Sequence, residues 1–349
     1  MARRRALVAA AIGSVAALAI SMVPAHAATP SYVALGDSYS SGTGTRSYIS
    51  DGTDCLRSTS AYPSLIASAR GYSLNFRACS GAVISDVRAL QLGALSSSTA
   101  YVTISIGGND AGFADVLTEC AQPGWLSNCY GEIDRSRAFI SGTLPARLDA
   151  LYAEIATRAP QAEVTVVGYP RIFNGEDCNA FTWFSGREMS RLNATADLLN
   201  SVTAQRAAAR GFSFADPTSR FVDHAVCDDS EWINGLSWPI VESFHPNRSG
   251  HASGYTPTVS PLLTGATVQA TPTLERAAKR TGKALAARQR EYAALDRTIA
   301  PKVVEPVDLD SPKARAAARR AGVDLDDRRS IDAADRRYDR MQLAARGEL

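Results

Sequence analysis

The sequence predicts an α/β fold in which helices cover both faces of a parallel sheet. Short apolar, β-branched runs recur along the chain, and longer segments with the period of a helix separate them. Strands that alternate with helices are typical of such a sheet. Glycine and polar residues follow several predicted strands, and ligands bind at that edge in this kind of fold. A candidate site is therefore expected at the carboxyl edge of the sheet.

The individual elements follow from these patterns. Predicted strands cover residues 32–35, 74–78, 101–106, 164–168 and 212–215. Predicted helices cover residues 62–70, 137–158 and 188–210, each closed by a glycine or a proline. The chain of 349 residues is 45% hydrophobic and 21% charged, which is ordinary for a globular protein.

The first 27 residues predict a secretory signal peptide that is cleaved after Ala27. Residues 3–5 give a basic start, an apolar stretch follows, and residues 25–27 have the small-residue pattern of a cleavage site. An uncleaved membrane anchor is the alternative, because residues 6–23 are just long enough to span a bilayer. Pro24 and the cleavage pattern favour the signal peptide. We therefore expect a secreted protein without stable membrane insertion.

Six cysteines follow this segment, and an even number in an exported protein predicts disulfides. Several pairings are possible. We expect sequential pairing because each successive pair brackets one loop-like insertion: Cys55 with Cys79, Cys120 with Cys129, and Cys178 with Cys227. A zinc site is the alternative, but the sequence has no CxxC motif and its histidines do not cluster with the cysteines.

The composition changes after Leu263. Residues 28–263 contain 16 Arg, no Lys and 22 acidic residues, a balance of −6. Residues 264–349 contain 14 Arg and 4 Lys against 13 acidic residues, a balance of +5. We expect a linker and two or three Ala/Arg-rich helices there, partly disordered and without a core of their own. Such helices usually present a solvated face, and a coiled-coil, cell-envelope or polyanion contact is the alternative.

Four short motifs stand in an order that would bring them to one rim of the sheet. GDSY (36–39), CSGA (79–82) and GGND (107–110) follow the first three predicted strands, and SFHPN (243–247) lies near the end of the α/β region. Each motif alone is more typical of a turn or a helix start than of a site. A serine hydroxyl, however, becomes a nucleophile when an adjacent imidazole accepts its proton. Ser38 is therefore a candidate nucleophile.

Ser38 needs one histidine. His26 leaves with the signal peptide, so the candidates are His224, His245 and His251. His245 is favoured because the preceding aromatic residue and the following proline fix its backbone.

Acyl transfer also builds negative charge on a carbonyl oxygen, and hydrogen-bond donors aimed at that oxygen speed the reaction. Gly81 has no Cβ, so its N–H can approach a substrate closely. Asn109 offers a side-chain amide that stays neutral at all pH values. Both are candidates for this role.

In these motifs the sequence resembles the SGNH hydrolases, the GDSL-type lipases and esterases, and specifically their secreted actinobacterial branch with three disulfides. The resemblance covers residues 32–263 and includes NFRACSGA, GYPRIF, FVDHAVC and SFHPNRSGH. It implies a three-layer, flavodoxin-like sheet, with Ser38 as nucleophile and His245 as base. It also implies an oxyanion hole formed by Gly81, Asn109 and the Ser38 amide. This chain has Tyr39 where the family's GDSL motif has leucine, and the side chain at this position has a packing role in the family.

The residue that orients His245 stays open. In the resembled family an acid three residues before the histidine commonly fills this role, and Glu242 occupies that position here. Glutamate is one methylene longer than the usual aspartate. Some members of the branch use a backbone carbonyl instead.

Other enzyme classes fit the sequence less well. An α/β-hydrolase needs a GxSxG elbow, and GDSYS, GYSLN, GFSFA and GLSWP all lack the final glycine. A chymotrypsin-like protease has its histidine before its serine, whereas Ser38 precedes every histidine of the mature chain. No HExxH, Walker or GxGxxG motif supports a metalloprotease, an NTPase or a dinucleotide enzyme.

The residues and the resemblance together predict a secreted, monomeric serine ester hydrolase that needs no cofactor or metal. Its expected substrates are small-molecule or lipid esters, and no nucleic-acid partner is expected. The alternatives are a carbohydrate O-acetyl esterase and, in a different class, a non-catalytic envelope protein that binds through its basic tail. Truncation after Leu263 is expected to leave ester hydrolysis nearly intact.

Overall fold

A parallel sheet forms the centre of the molecule. A computed structural model describes residues 29–348, so the predicted signal peptide lies outside the described residues. Within this range five parallel strands are ordered β2-β1-β3-β4-β5, as in flavodoxin-like folds. The strands are β1 (Ser31–Gly36), β2 (Ser73–Phe76), β3 (Tyr101–Ser105), β4 (Glu163–Val167) and β5 (Ser213–Ala215). The predicted α/β class and parallel sheet are confirmed.

Helices flank the sheet in two groups. In chain order, the α-helices among the described residues are α1 (Ser38–Ser41), α2 (Tyr62–Arg70), α3 (Ile84–Asp86), α4 (Phe113–Cys120), α5 (Cys129–Gly142), α6 (Leu144–Arg158), α7 (Gly186–Ala208), α8 (Thr256–Thr264), α9 (Pro272–Arg290), α10 (Ala293–Asp296), α11 (Pro312–Ala321) and α12 (Arg328–Ala345). Helix α2 packs against α8 and α9, and α5, α6 and α7 pack against one another. None of these helices is both long and apolar enough to cross a bilayer.

One predicted helix is wrong in its extent. The sequence predicts a single helix over residues 137–158, and the structure has two helices, α5 and α6, that meet at Thr143. Pro145 lies in the first turn of α6. It has no N–H to continue the hydrogen-bond ladder of α5, and it fits the start of a new helix, where the N–H groups have no partner.

The strand order determines where the candidate site lies. Strand β1 lies between β2 and β3, so the loops that leave these three strands are neighbours. The chain passes from β1 to β2 on one side and then crosses to β3 on the other side of β1. In open α/β sheets, ligands bind beside such a switch point. GDSY, CSGA and GGND follow these strands.

The C-terminal extension, residues 264–348, packs against the preceding region. Helix α9 contacts α2 and β2, and its Leu285 and Ala286 join the main hydrophobic core. Ile331 of α12 belongs to a second cluster with Trp125 and Trp183, which come from the two later cysteine-bracketed loops. The extension is helical, as expected, and the apolar side chains that it buries share cores with the rest of the chain, whereas Leu295 and Met341 are exposed.

Three disulfides join Cys55 to Cys79, Cys120 to Cys129, and Cys178 to Cys227. The first four of these cysteines are fully buried, whereas Cys178 is exposed. The Cys178–Cys227 bridge also closes the longest segment, with a sequence separation of 49 residues. It is therefore the most accessible bridge and the one that restricts the unfolded chain most.

Mild reduction should open the Cys178–Cys227 bridge before the other two. Loss of this bridge should cost about 2 to 4 kcal/mol of unfolding free energy, because the unfolded chain gains freedom. Differential alkylation with peptide mapping identifies the first thiols, and a thermal melt measures the destabilisation. Labelling of Cys55 or Cys120 ahead of Cys178, or an unchanged melting temperature, would contradict this expectation.

Candidate active site

Ser38 and His245 form the centre of the candidate site. Ser38 is the first residue of α1, directly after β1, and Asp37 caps this short helix by accepting a hydrogen bond from the Tyr39 N–H. His245 Nε2 lies 2.8 Å from Ser38 Oγ. Both residues are buried, so this hydrogen bond is shielded from bulk water. The imidazole can thus accept the serine proton during attack on a carbonyl carbon.

The other two candidate histidines do not reach Ser38. His224 stacks on Trp232 with ring centroids 3.6 Å apart, and its Nδ1 pairs with the Ser230 carbonyl. His251 is buried, and its Nδ1 accepts a weak hydrogen bond of 3.4 Å from the Tyr62 N–H. The structure brings only His245, among these three, to the serine.

A backbone carbonyl orients the imidazole in this structure. His245 Nδ1 lies 2.8 Å from the Ser243 carbonyl oxygen, which fixes the tautomer with hydrogen on Nδ1 and a free lone pair on Nε2. Phe244 makes this contact possible, because its left-handed backbone, with φ of 58°, bends the chain between the two residues. Residue type alone does not reveal such a bend.

Of the two alternatives left open by the sequence, the geometry favours the backbone carbonyl, because Glu242 makes no hydrogen bond to the imidazole among the described residues. Its buried carboxylate accepts hydrogen bonds from Arg46 Nε at 2.8 Å and from the Tyr48 hydroxyl at 2.6 Å. Glu242 lies at the end of a 3-10 turn, Ile240–Glu242, and its side chain is directed to these two donors and not to the ring. It therefore ties the histidine loop to the segment that follows α1.

Glu242→Gln should leave turnover within about threefold of wild type, because the Ser243 carbonyl still holds the ring. His245→Ala should reduce kcat by about 10³ or more, because the base is lost. Steady-state kinetics on one soluble ester measures both variants. A comparable loss in the two would restore Glu242 to a direct catalytic role.

Tyr39 links the serine to the histidine loop. Its hydroxyl donates a hydrogen bond of 2.8 Å to the Phe244 carbonyl, and its ring centroid lies 5.3 Å from that of His245. The resemblance assigns this position to packing, as the leucine of GDSL would pack. Tyrosine packs as well and adds a hydrogen bond that leucine cannot make.

The loops that carry Gly81 and Asn109 are joined to each other. Asn109 Nδ2 donates to the Ala82 carbonyl at 3.0 Å, so the GGND loop is joined to the CSGA loop. Gly81 has a φ of 85°, a left-handed conformation that side chains other than glycine rarely adopt. Within residues 29–348, the N–H groups of Ser38 and Gly81 donate to no protein acceptor. Two backbone donors are thus available to a substrate oxygen.

A buried acid beneath the serine helix was not singled out from the sequence. Asp37 accepts hydrogen bonds from the Tyr169 hydroxyl at 2.5 Å, the Ser105 hydroxyl at 2.9 Å and the Tyr39 N–H. Burial raises the pKa of Asp37 to about 6 in spite of these donors. The sequence predicts no role for Asp37 of GDSY or for Tyr169 of GYPRIF, although both residues lie in motifs that carry the resemblance.

The pKa of His245 is shifted in the direction that favours a base. Burial lowers it to about 4, although the Ser243 carbonyl opposes the shift. The ring is therefore neutral, and able to accept a proton, throughout the neutral range.

The acid limb of kcat/KM should fall with an apparent pKa near 4, because protonation of the free enzyme's His245 removes the base. Activity should thus persist as the pH drops below the ordinary histidine pKa of 6.5. A pH–rate profile of wild type and Asp37→Asn checks this, since the variant lacks the carboxyl that titrates near 6. An apparent pKa near 6.5 in both proteins would contradict the expectation.

Sequence comparison identifies the family of this chain. Residues 34–253 match the model of the GDSL-like Lipase/Acylhydrolase family. The chain belongs to this family. It is therefore a carboxylic ester hydrolase of the lipase and esterase type.

The GDSL relatives support this assignment over most of their own length. The chain is 47% identical to Lipase 1 of Streptomyces coelicolor over 237 residues, which cover 67% of this chain and 87% of that protein. It is 45% identical to a lipase of Streptomyces rimosus over 264 residues, which cover 74% of this chain and 97% of that protein.

Two solved structures share the fold. The extracellular lipase of Streptomyces rimosus matches with a TM-score of 0.63 and 44% identity, over 68% of this chain and 100% of that one. A phospholipase A1 of Streptomyces albidoflavus matches with a TM-score of 0.62 and 43% identity, over 68% of this chain and 99% of that one. This chain is thus longer than these relatives.

Proposed function

We propose that the protein is a secreted lipase or esterase that cleaves carboxylic esters through an acyl-enzyme on Ser38. The serine oxygen bonds to the acyl carbon while its proton moves to His245 Nε2. The imidazole then donates that proton to the departing alcohol, and water, deprotonated by the same nitrogen, releases the acid. The N–H groups of Ser38 and Gly81, with the Asn109 amide, hold the oxyanion.

The observation that carries this proposal is the hydrogen bond of 2.8 Å between Ser38 Oγ and His245 Nε2. It joins residues 207 positions apart in the sequence. The Ser243 carbonyl holds the imidazole in the tautomer that can accept the serine proton. The N–H groups of Ser38 and Gly81, which have no protein acceptor within residues 29–348, can serve as the donors that an oxyanion requires.

Lipid-like esters are the favoured substrates. An apolar cavity of about 70 Å³ lies next to the site, bounded by Tyr39, Gly108, Phe113 and Tyr169 with aliphatic side chains behind them. Such a lining suits an acyl chain and offers little to a sugar. The relatives described as lipases and as a phospholipase A1 support this choice, and a carbohydrate O-acetyl esterase is the second candidate.

Secretion is part of the proposal. Three disulfides form in the described region, and such bonds persist in oxidising compartments. The Streptomyces rimosus relative is described as extracellular. The basic and apolar first 27 residues would supply the export signal.

Ser38→Ala should reduce hydrolysis of a chromogenic ester by at least about 10³, because the nucleophile is removed. Ser41→Ala, a serine in the same short helix, is the matched control and should stay within a few-fold of wild type. A fluorophosphonate probe should label wild type and Ser41→Ala but not Ser38→Ala. Equal rates in the two variants would refute the assignment of the nucleophile.

Rates for esters from acetyl to palmitoyl should distinguish the two substrate classes. A lipase with an apolar acyl cavity should prefer medium or long chains over acetate, because burial of each methylene is favourable by about 0.8 kcal/mol. Preference for acetyl esters, and activity on acetylated sugars, would favour the O-acetyl esterase.

A further inference from the structure

A surface groove of about 680 Å³ lies between α9 of the C-terminal extension and residues 46–50. Its lining includes basic side chains from both walls and no acidic side chain; the basic ones are Arg46, Arg248, Lys279, Lys283 and Arg290. All five are exposed. The region before the extension has an excess of acidic residues, so this concentration of positive charge is local.

Most of this charge is not neutralised by the protein. Among residues 29–348, only Arg46 of the five has a carboxylate partner, Glu242. Arg248 and Arg290 each donate one N–H to a backbone carbonyl, which leaves their other donors free. Lys279 and Lys283 are one helical turn apart, where like charges repel each other. An anion in the groove would relieve this repulsion.

We propose that the groove binds a phosphate group, carried by a lipid or free in solution. A phosphate presents several anionic oxygens, so cations on opposite walls can contact it together, and a guanidinium can pair with two of its oxygens. A carboxylate has only two oxygens and fits a five-cation site less well. Neither wall suffices alone, because the extension supplies both lysines and Arg290 while the catalytic region supplies Arg46 and Arg248.

The groove is separate from the catalytic pair but connected to it. Arg46 and Tyr48 line the groove and donate to Glu242, three residues before His245. A phosphate would therefore be held beside the histidine loop without contact with the reacting atoms. Its binding is measurable without any ester hydrolysis, so this proposal stands or falls independently of the proposed function.

Lys279→Gln/Lys283→Gln should weaken binding about 30-fold, because each basic residue near an anionic surface contributes about 1 kcal/mol. The probes are inorganic phosphate, by titration calorimetry, and vesicles of phosphatidylcholine with or without phosphatidylglycerol, by co-sedimentation. Lys313→Gln/Arg320→Gln on α11 removes the same charge from exposed positions and is the matched control. Hydrolysis of a neutral soluble ester should be unchanged in both double variants.

Each result decides the proposal. Loss of phosphate or vesicle binding in the α9 variant, but not in the α11 variant, supports it. Vesicle binding identifies a lipid head group as the source, and binding of inorganic phosphate without vesicle binding identifies a soluble one. Failure of the wild type to bind either probe, or equal losses in the two variants, would overturn it.

Asp296, also in the extension, supports a second and independent proposal. Its carboxylate lies between two buried arginines, with contacts of 2.6 Å to Arg57 Nη2 and of 2.7 and 2.9 Å to Arg77 Nη2 and Nη1. The three side chains have no exposed surface. Asp51 neutralises Arg57 from the other side at 2.7 Å.

These arginines hold the backbone that leads to Gly81. Arg57 Nε donates to the Ala78 carbonyl at 2.9 Å, and Arg77 immediately precedes that residue. Ile299, three residues beyond Asp296, packs against the Cys55–Cys79 disulfide and Ala82. The Ala300 carbonyl lies directly over Gly81, where a Cβ would come within 2.1 Å of its oxygen.

We infer that Asp296 is a positioning residue for the Gly81 oxyanion donor. Asp296 holds the guanidinium of Arg57, which in turn holds the Ala78 carbonyl. It also anchors the residues that follow it, and the Ala300 carbonyl among them lies over Gly81. This inference rests on the proposed role of Gly81. It also revises the expectation that the extension is dispensable for hydrolysis.

Asp296→Asn should lower kcat about tenfold with little change in KM, because an oxyanion donor worth 10² to 10³ in rate is loosened and not removed. Asp335→Asn is the matched control, because Asp335 also anchors the extension but accepts from the Gly124 N–H at 2.7 Å, in the Cys120–Cys129 loop, and not from the segment before Gly81. Ile299→Ala, which keeps the ion network, is the second variant and should lower kcat two- to threefold.

Assays run well below the melting temperature of each variant separate positioning from unfolding. A selective fall in kcat for Asp296→Asn and Ile299→Ala supports the inference. Unchanged or increased kcat in both, or an equal fall in Asp335→Asn, would overturn it. Loss of nucleophile labelling in Ser38→Ala tests the proposed function separately, so the two failures are distinguishable.

Discussion

The hydrogen bond between Ser38 and His245 constrains the whole catalytic region. The serine follows the first strand, and the histidine lies beyond the last one, so the sheet and its helices must form before the two side chains can meet. Three contacts then fix the distance between them. The Tyr39 hydroxyl donates to the Phe244 carbonyl, and the Ser243 carbonyl holds the imidazole. Glu242 ties the loop that carries His245 to Arg46 and Tyr48.

The electrostatics of the site follow from burial. A buried imidazole is harder to protonate, which lowers the pKa of His245 to about 4, whereas a buried carboxyl is harder to ionise, which raises the pKa of Asp37 to about 6. The two shifts reverse the usual order, because the carboxyl of Asp37 now has a higher pKa than the imidazole of His245. No carboxylate contacts the ring among the described residues, so a neutral carbonyl orients a neutral base.

Much of the fold was predictable because its signals are local. Apolar runs identified all five strands, and the motifs after β1, β2 and β3 identified the rim where the candidate residues meet. The orienting carbonyl of Ser243 was not predictable as such, because it depends on the left-handed backbone of Phe244 and not on a side-chain type. Glu242 had the expected residue type and position, but its partners are 194 and 196 residues away in the sequence.

The extension was the hardest part to interpret from sequence. Its contacts with the catalytic region use charged side chains, such as Asp296 between two arginines, and charge-rich helices ordinarily indicate a solvated surface. Asp296 is also synthesised after every group that it neutralises. Arg57 and Arg77 therefore cannot pair with this carboxylate until the chain has been synthesised as far as Asp296. A chain cut anywhere before Asp296 would leave Arg77 without its carboxylate and Arg57 with Asp51 alone.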